Sequence, residues 1–127
     1  MSNLSDKTLT ELVGLIKSKQ IKSEELTDEF IANSQKGKKL NAYITDSFDT
    51  AKDKAKQFDV KSNFDCLLPG VPLAVKDLFC TNGVKTTAGS KMLENFIPNY
   101  ESTVTTNPWN EGAFLLGKLN CDEYAMG

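Results

Sequence analysis

The stretch LLPGVPLAVKDLF (Leu67–Phe79) decides the fold that the sequence predicts. It is apolar apart from one Lys–Asp pair, and the dipeptide Pro69-Gly70 indicates a turn near its start. Pro72 sets the beginning of a short strand, which we predict over Leu73–Lys76. A second apolar run, Ala113–Leu116, lies between glycines and has the length and character of a buried strand. The second half of the chain therefore supplies strands to a sheet.

The first sixty residues have the patterns of helices. Apolar residues spaced i, i+3, i+4 and i+7 predict an amphipathic helix over Leu9–Ile16. Ser23, followed by Glu24 and Glu25, predicts the N-cap of a second helix, because carboxylates are favourable at the positive end of the helix dipole. Gly37 marks the end of that helix.

Shorter elements complete the predicted order. We expect a strand at Asn41–Thr45 and a third helix capped by Asp46 or Ser47, with a buried face of Phe48, Ala51, Ala55 and Phe58. Later elements are a short helix at Lys91–Asn95, a helix between Ser102 and Glu111 that Pro108 would kink or delay, and a last turn at Cys121–Met126.

This order of helices and strands predicts an α/β layer structure. We expect residues 1–62 to form a helical N-terminal region and residues 63–127 to begin an α/β core, both within one domain spanning residues 1–127. Two or three strands make only a marginal sheet, and the chain stops soon after an apolar strand. The core is therefore expected to be truncated.

The composition excludes several kinds of function. The 127 residues carry 15 cationic side chains against 17 acidic ones, and every cation is a lysine, because arginine and histidine are absent. This balance gives no basic surface of the kind that binds nucleic acid. Without histidine, a Ser–His–Asp or Cys–His site cannot be built from this chain, and no metal site is predicted. Any proton transfer must therefore use Lys, Asp, Glu, Tyr or Cys.

Cysteine usage and the N-terminus indicate the compartment. The three cysteines are an odd number without C-x-x-C spacing, which fits a reducing compartment better than a disulfide framework. The first residues lack the pattern of a signal peptide, and no apolar run reaches the roughly 18 residues of a membrane span. The expected location is the cytoplasm.

Lys76 is the first candidate for chemistry. It stands at the end of a predicted strand, where α/β sheets place ligands. Burial there would desolvate the amine and favour its neutral form, which can accept a proton. Asp77 would lie on the opposite face, so the two side chains need not pair. The alternative is that Lys76 emerges solvated at the sheet edge or pairs with another carboxylate.

The hydroxyl-rich segment Thr86–Ser90 is a second candidate. Its small side chains and backbone N–H groups could line an anion or amide site. The same residues are typical of a turn in which Ser90 caps the following helix. The sequence leaves both interpretations open.

Two segments, Pro69–Val104 and Gly112–Gly127, together resemble the amidase signature family. They carry, in order, the motifs VKD, GVKTTAGSKMLENF, YxSTV and GKLNCDEYAMG. VKD alone would be a weak signal, but long ordered matches are specific. Within the family, the segments are most similar to the branch that supplies the A subunits of bacterial Asp/Glu-tRNA amidotransferases.

This resemblance implies a mixed-sheet α/β/α fold and a Ser–cis-Ser–Lys centre. In that centre one serine attacks an amide carbonyl, a second serine and the lysine relay the proton, and backbone N–H groups stabilise the oxyanion. Lys76 matches the family lysine, while Met126 and Gly127 are candidates for substrate contacts. The family places its serines downstream of the EYAMG motif, so residues 1–127 alone are expected to be inactive.

The resemblance also implies partners. The A subunits hydrolyse glutamine, and a B subunit uses the ammonia with ATP and Mg²⁺ to amidate Glu or Asp misacylated on tRNA, while a C subunit clamps the two. No cofactor is expected on this chain.

Two alternatives are an amidase of the same family acting on another carboxamide, and a non-catalytic module that docks on a partner protein. A Ser/Gly-rich continuation would favour the enzyme. Pro108 departs from the family pattern, because it interrupts a helix that the family makes continuous.

Residues 1–127 expressed alone are expected to self-associate or to be poorly ordered. Two or three strands leave unpaired edges and exposed apolar surface, which favour association between chains. Sedimentation velocity and a thermal melt test this expectation. A compact monomer with a cooperative melt would contradict it.

Overall fold

The chain folds into helices packed on a small mixed β-sheet, in a computed structural model that describes residues 3–127. The helices and strands are α1 (Leu9–Lys17), α2 (Ser23–Lys36), β1 (Tyr43–Asp46), α3 (Phe48–Lys61), β2 (Pro72–Lys76), α4 (Thr103–Asn110) and β3 (Phe114–Leu119). Single 3₁₀ turns lie at Leu4–Asp6, Lys38–Leu40, Lys91–Leu93 and Glu123–Ala125. The predicted α/β class is confirmed. Among the described residues, no helix combines the length and apolarity needed to cross a bilayer.

The sheet has β3 at its centre, in the order β1-β3-β2. β2 runs parallel to β3, and β1 runs antiparallel to it. Leu73 pairs with Leu115 but Ala74 pairs with Gly117, so the register shifts by one residue within β3. Such a bulge bends a strand and redirects the side chains that follow it.

Gly117 lies inside β3, although a glycine after an apolar run predicts the end of a strand. A Cβ at this position would lie 2.7 Å from the ring of Tyr43, so β1 can pack this closely only over a glycine. The strand continues through Lys118 to Leu119. The predicted end of the strand at Leu116 is therefore wrong.

Two apolar clusters hold the helices to the sheet. The first joins α1 and α2 to the start of β2 and contains Leu4, Leu12, Ile16, Leu26 and Val71. The second joins α2 and α3 to β3 and contains Ile31, Ala51, Ala55, Phe114 and Leu116. Ala51 and Ala55 have no exposed surface, which confirms the predicted buried face of α3. Burying such faces removes apolar area from water and stabilises the packing.

The start of α2 differs from the prediction. Lys22 occupies the cap position and Ser23 is the first helical residue, fully buried, with its hydroxyl donating to the carbonyl of Gly70 at 2.5 Å. The backbone N–H groups of Ser23 and Glu24 donate instead to the carboxylate of Asp59, at 2.9 and 3.0 Å. Ser23 is therefore not the N-cap, because a carboxylate from α3 binds the free N–H groups.

Pro108 does not prevent α4 from forming. The helix begins at Thr103 after Ser102, whose hydroxyl accepts from the N–H of Thr105 at 3.3 Å. Pro108 lies near the end of the helix, and its carbonyl accepts hydrogen bonds from the N–H groups of Glu111 and Ala113, at 3.2 and 3.1 Å. The helix ends two residues after the proline.

Replacing Asp59 with alanine is expected to lower the free energy of unfolding by about 1–2 kcal/mol, because two N–H groups of α2 lose their carboxylate acceptor. Asp53→Ala is the matched control, since Asp53 is exposed on the same helix. Urea unfolding of the two variants measures the difference. Equal stability of the two variants would show that Asp59 does not cap α2.

Candidate functional site

The candidate site lies where the parallel strands β2 and β3 end together. Lys76, the last residue of β2, is directly opposite Leu119, the last residue of β3. The segment that follows β3 packs at the same edge, because the N–H of Tyr124 donates to the carbonyl of Ala88 at 2.8 Å. Carboxyl ends of parallel strands are where α/β sheets place ligands.

Lys76 is exposed, whereas its neighbour Asp77 has no exposed surface. The predicted divergence of the two side chains is confirmed. Within residues 3–127, Lys76 is the last residue of the outer strand β2 and its side chain is exposed, so the expected desolvation of its amine stays a prediction. The catalytic role of Lys76 stays a prediction.

A buried ion pair includes Asp77, the residue that follows Lys76. Lys118 and Asp77 both have fully buried side chains, and Nζ of Lys118 lies 3.6 Å from Oδ1 of Asp77. The same ammonium donates to the carbonyl of Phe79 at 2.6 Å and to the hydroxyl of Thr86 at 2.9 Å. Burial lowers the pKa of Lys118, and the Asp77 carboxylate partly offsets this effect by favouring the charged form.

Asp77 connects β2 to the segment Thr86–Ser90. Its Oδ2 accepts from the N–H and the hydroxyl of Thr87, at 3.1 and 2.5 Å. Its backbone carbonyl accepts from the N–H of Ala88 at 2.8 Å, and its own N–H donates to the carbonyl of Leu119 at 2.9 Å. Oδ1 has no hydrogen-bond partner among the described residues and faces the Lys118 ammonium. Asp77 thus joins the ends of β2 and β3 to the segment Thr86–Ser90.

The hydroxyl-rich segment Thr86–Ser90 forms a closed turn. Its hydroxyl-bearing residues are buried, and Ala88 and Gly89 have positive φ angles of 51° and 68°. A Cβ on Gly89 would lie 2.6 Å from the carbonyl oxygen of Cys121, so this close approach requires glycine. Of the two interpretations of this segment, the structure shows the turn.

Ser90 joins this turn to the segment after β3. Its hydroxyl accepts from the N–H of Met92 at 3.3 Å, which confirms its predicted role as a cap. The same hydroxyl donates to Oε1 of Glu123 at 2.7 Å. Residues 86–90 therefore hold residues 121–127 in place from two sides, through Ser90 and through Ala88.

Met126 and Gly127 lie in the segment that follows β3. Met126 is 85% exposed, and a Cβ built on Gly127 would overlap the carboxyl group of Asp122. Within residues 3–127, no hydrogen bond or ion pair joins either residue to Lys76. Their role in binding substrate stays a prediction.

Lys118 is a site residue that the sequence patterns did not indicate. A lysine that follows an apolar strand and a glycine is typical of a solvated strand end, and only the continuation of β3 carries it into the interior. One signal could have found it. A buried aspartate at the end of one strand needs a cation or several donors, and Lys118 is the lysine next to the other predicted buried strand.

A cavity of about 820 Å³ lies elsewhere in the molecule. It is bordered by the end of α2, by β1 and by the start of α3, with Phe30, Leu40, Tyr43 and Phe48 among its lining residues. None of the charged groups at the end of β2 lines it. The described residues also hold no group of three Cys, Asp or Glu side chains placed to bind a metal ion. The sheet edge is the better candidate, because the ionisable groups converge there.

The chain is similar to proteins of known family. A family model described as Amidase matches residues 25–127. A protein of Pelagibacter ubique (strain HTCC1062), named as the A subunit of glutamyl-tRNA(Gln) amidotransferase, is 67% identical over 127 residues. A protein of the same name from Hyphomonas neptunium (strain ATCC 15444) is 46% identical over 129 residues. Each match covers 100% of this chain and 26% of the relative, so the chain spans about a quarter of their length.

Solved structures share the fold. A bacterial aryl acylamidase, described as belonging to the amidase signature enzymes, superposes with a TM-score of 0.82 and 31% identity, over 93% of this chain and 26% of its own. A protein from a vestigial complex, described as revealing the origins of an s-triazine catabolic enzyme, gives a TM-score of 0.84 and 30% identity, over 92% of this chain and 27% of its own. The predicted family and its fold are therefore confirmed.

Replacing Ser90 with alanine is expected to loosen residues 121–127, because Glu123 loses a charge-assisted hydrogen bond. Such a bond is worth about 1.5–3 kcal/mol, so amide hydrogen exchange in this segment should become about tenfold faster or more. Ser34→Ala is the control, since within residues 3–127 the Ser34 hydroxyl bonds only to Phe30 of its own helix. Unchanged exchange at Tyr124 in the Ser90 variant would contradict the assignment.

Proposed function

Because this chain belongs to the amidase signature family, we propose that it is the lysine-bearing part of the glutamine-hydrolysing A subunit of a tRNA-dependent amidotransferase. The observation that carries this proposal is the 67% identity, over the whole chain, to a protein named as the A subunit of glutamyl-tRNA(Gln) amidotransferase. The position of Lys76 at the carboxyl end of a parallel strand supports it.

In this proposal, one serine attacks the carboxamide of glutamine and passes its hydroxyl proton to a second serine, which passes its own proton to Lys76. Lys76 returns the proton by the same route to the leaving nitrogen, so that ammonia departs and the acyl-enzyme remains. Within these 127 residues there is no histidine, so any base that this part supplies must be another side chain, and Lys76 is the residue that matches the family lysine. The Lys76 side chain is exposed within residues 3–127, and only a desolvated amine favours the neutral form that can accept a proton. The proposal therefore requires the serine-bearing part of the enzyme to cover the edge of β2.

The partners follow from the same proposal. The released ammonia would pass to a B subunit that amidates Glu-tRNA(Gln), and Asp-tRNA(Asn) where that substrate is used, with a C subunit joining the two. We assign ATP and Mg²⁺ to the partner rather than to this chain. The isolated stretch 1–127 would lack activity, and the whole complex would work in the cytoplasm.

A second candidate is an amidase that acts on a different carboxamide. The structural likeness to an aryl acylamidase favours this possibility. The two candidates differ in substrate, so the full-length enzyme should be assayed with glutamine and with an acyl anilide. Release of ammonia from glutamine, stimulated by the tRNA-amidating partner, supports the amidotransferase, whereas cleavage of the anilide alone supports the amidase. A full-length protein without activity on either would favour the non-catalytic module.

Lys76→Ala in the full-length protein is expected to lower kcat for glutamine hydrolysis by about 10³-fold or more, as loss of a member of a catalytic unit does in other hydrolases. Lys76→Arg should be equally inactive, because arginine keeps the charge but cannot give up its proton. Lys54→Ala, at an exposed position on α3, is the control and should retain full activity. Activity in the arginine variant would show that Lys76 is needed for its charge and not as a base.

Added ammonium should restore tRNA amidation in the Lys76→Ala complex. The proposal confines Lys76 to ammonia release, so the later step needs only a source of ammonia. Amidation of misacylated tRNA, measured with glutamine and then with ammonium chloride, checks this. Failure with both nitrogen sources would place Lys76 in assembly of the complex instead.

A further inference from the structure

The buried pair formed by Asp77 and Lys118 has no step in the chemistry proposed for Lys76. Both side chains have no exposed surface, and their closest charged atoms are 3.6 Å apart. Buried ion pairs are often no more stabilising than apolar side chains of similar volume, because two charges lose their hydration. Stability alone is therefore a weak explanation for a charged pair at this place in the fold.

The position of the pair relates it directly to Lys76. Asp77 is the next residue along the chain after β2, and Lys118 precedes Leu119, the residue opposite Lys76. The N–H of Asp77 donates to the carbonyl of Leu119 at 2.9 Å. The strand that carries the Lys76 amine and its neighbour β3 are thus both attached to the pair.

The geometry of the Lys118 ammonium leaves little freedom at the end of β2. It donates to the carbonyl of Phe79 and to the hydroxyl of Thr86, and its third direction faces Asp77. Two of its three protons are thus hydrogen-bonded, and the contact with Oδ1 of Asp77 at 3.6 Å is an ion pair without a hydrogen bond. Lys118 therefore binds the chain on both sides of the loop that follows Lys76.

The same pair reaches the segment that carries Met126 and Gly127. Asp77 binds Thr87 through its carboxylate and Ala88 through its carbonyl, and Ala88 in turn accepts from the N–H of Tyr124. A shift of Asp77 would therefore move both Lys76 and the segment after β3.

We propose that Asp77 and Lys118 are positioning residues for Lys76, which they hold in register with the segment after β3. This inference rests on the proposed role of Lys76 as the base. A displacement of about 1 Å at a reacting group can lower a rate by about 10²-fold, so loss of the pair should act on turnover more than on substrate binding.

The test compares Asp77→Asn, Lys118→Met and the double variant in the full-length protein assembled with its partner subunits. Asparagine keeps the shape of Asp77 and can still accept from Thr87, and the double variant leaves no unpaired charge in the interior. Leu26→Ala is the control for lost stability, because Leu26 is fully buried in the helical cluster away from the strand ends. Each protein is measured for its thermal midpoint and for kcat and KM with glutamine, per folded enzyme.

Each variant of the pair should lose kcat by about 10- to 100-fold with little change in KM, as expected for a displaced reacting group. The double variant should melt closer to the wild type than Lys118→Met does, yet remain equally slow. Leu26→Ala should melt lower but keep its kcat.

Wild-type kcat in the folded double variant would overturn the proposal, as would an equal loss of kcat in Leu26→Ala. If the double variant does not accumulate as folded protein, Asp77→Asn replaces it in the test, and wild-type kcat in folded Asp77→Asn would overturn the proposal. Full activity of Lys76→Ala would instead refute the role of Lys76 itself, so failure of the two proposals can be told apart.

Discussion

The contact between Asp77 and Lys118 is the constraint on which the sheet edge depends. A charge without access to water must be compensated by an opposite charge or by hydrogen bonds. Here Asp77 and Lys118, from the ends of the two parallel strands, compensate each other, and Thr86 and Thr87 of the turn at residues 86–90 supply further hydrogen bonds. The path of the chain from Phe79 to Ser90 is therefore set by the donors and acceptors that two buried charges require.

Polar contacts over long sequence separations also hold the helices to one another and to the start of β2. The Ser23 hydroxyl bonds to Gly70 just before β2, and Asp59 of α3 binds the first N–H groups of α2. Within the sheet, Gly117 lets the ring of Tyr43 in β1 lie against β3. These contacts, together with the two apolar clusters, set the position of β2 and hence of Lys76.

The family membership and the local geometry give different information about the site. The family model and the curated relatives cover the part of the chain that contains Lys76, and the chain spans 26% of those relatives. The geometry shows an exposed lysine backed by a buried ion pair. The chemistry proposed for Lys76 needs a covered amine, which residues 3–127 by themselves do not provide.

The sequence by itself determined the elements and their class. Local periodicity, glycines and prolines predicted the helices, the strand that ends in Lys76 and the opposite directions of Lys76 and Asp77, because these features depend on neighbours along the chain. Only the tertiary structure decided that Lys118 is buried and that Asp59 caps α2, because both depend on residues distant in sequence. The exposure of Lys76 was likewise decided by packing, since no local pattern records which elements cover a strand end.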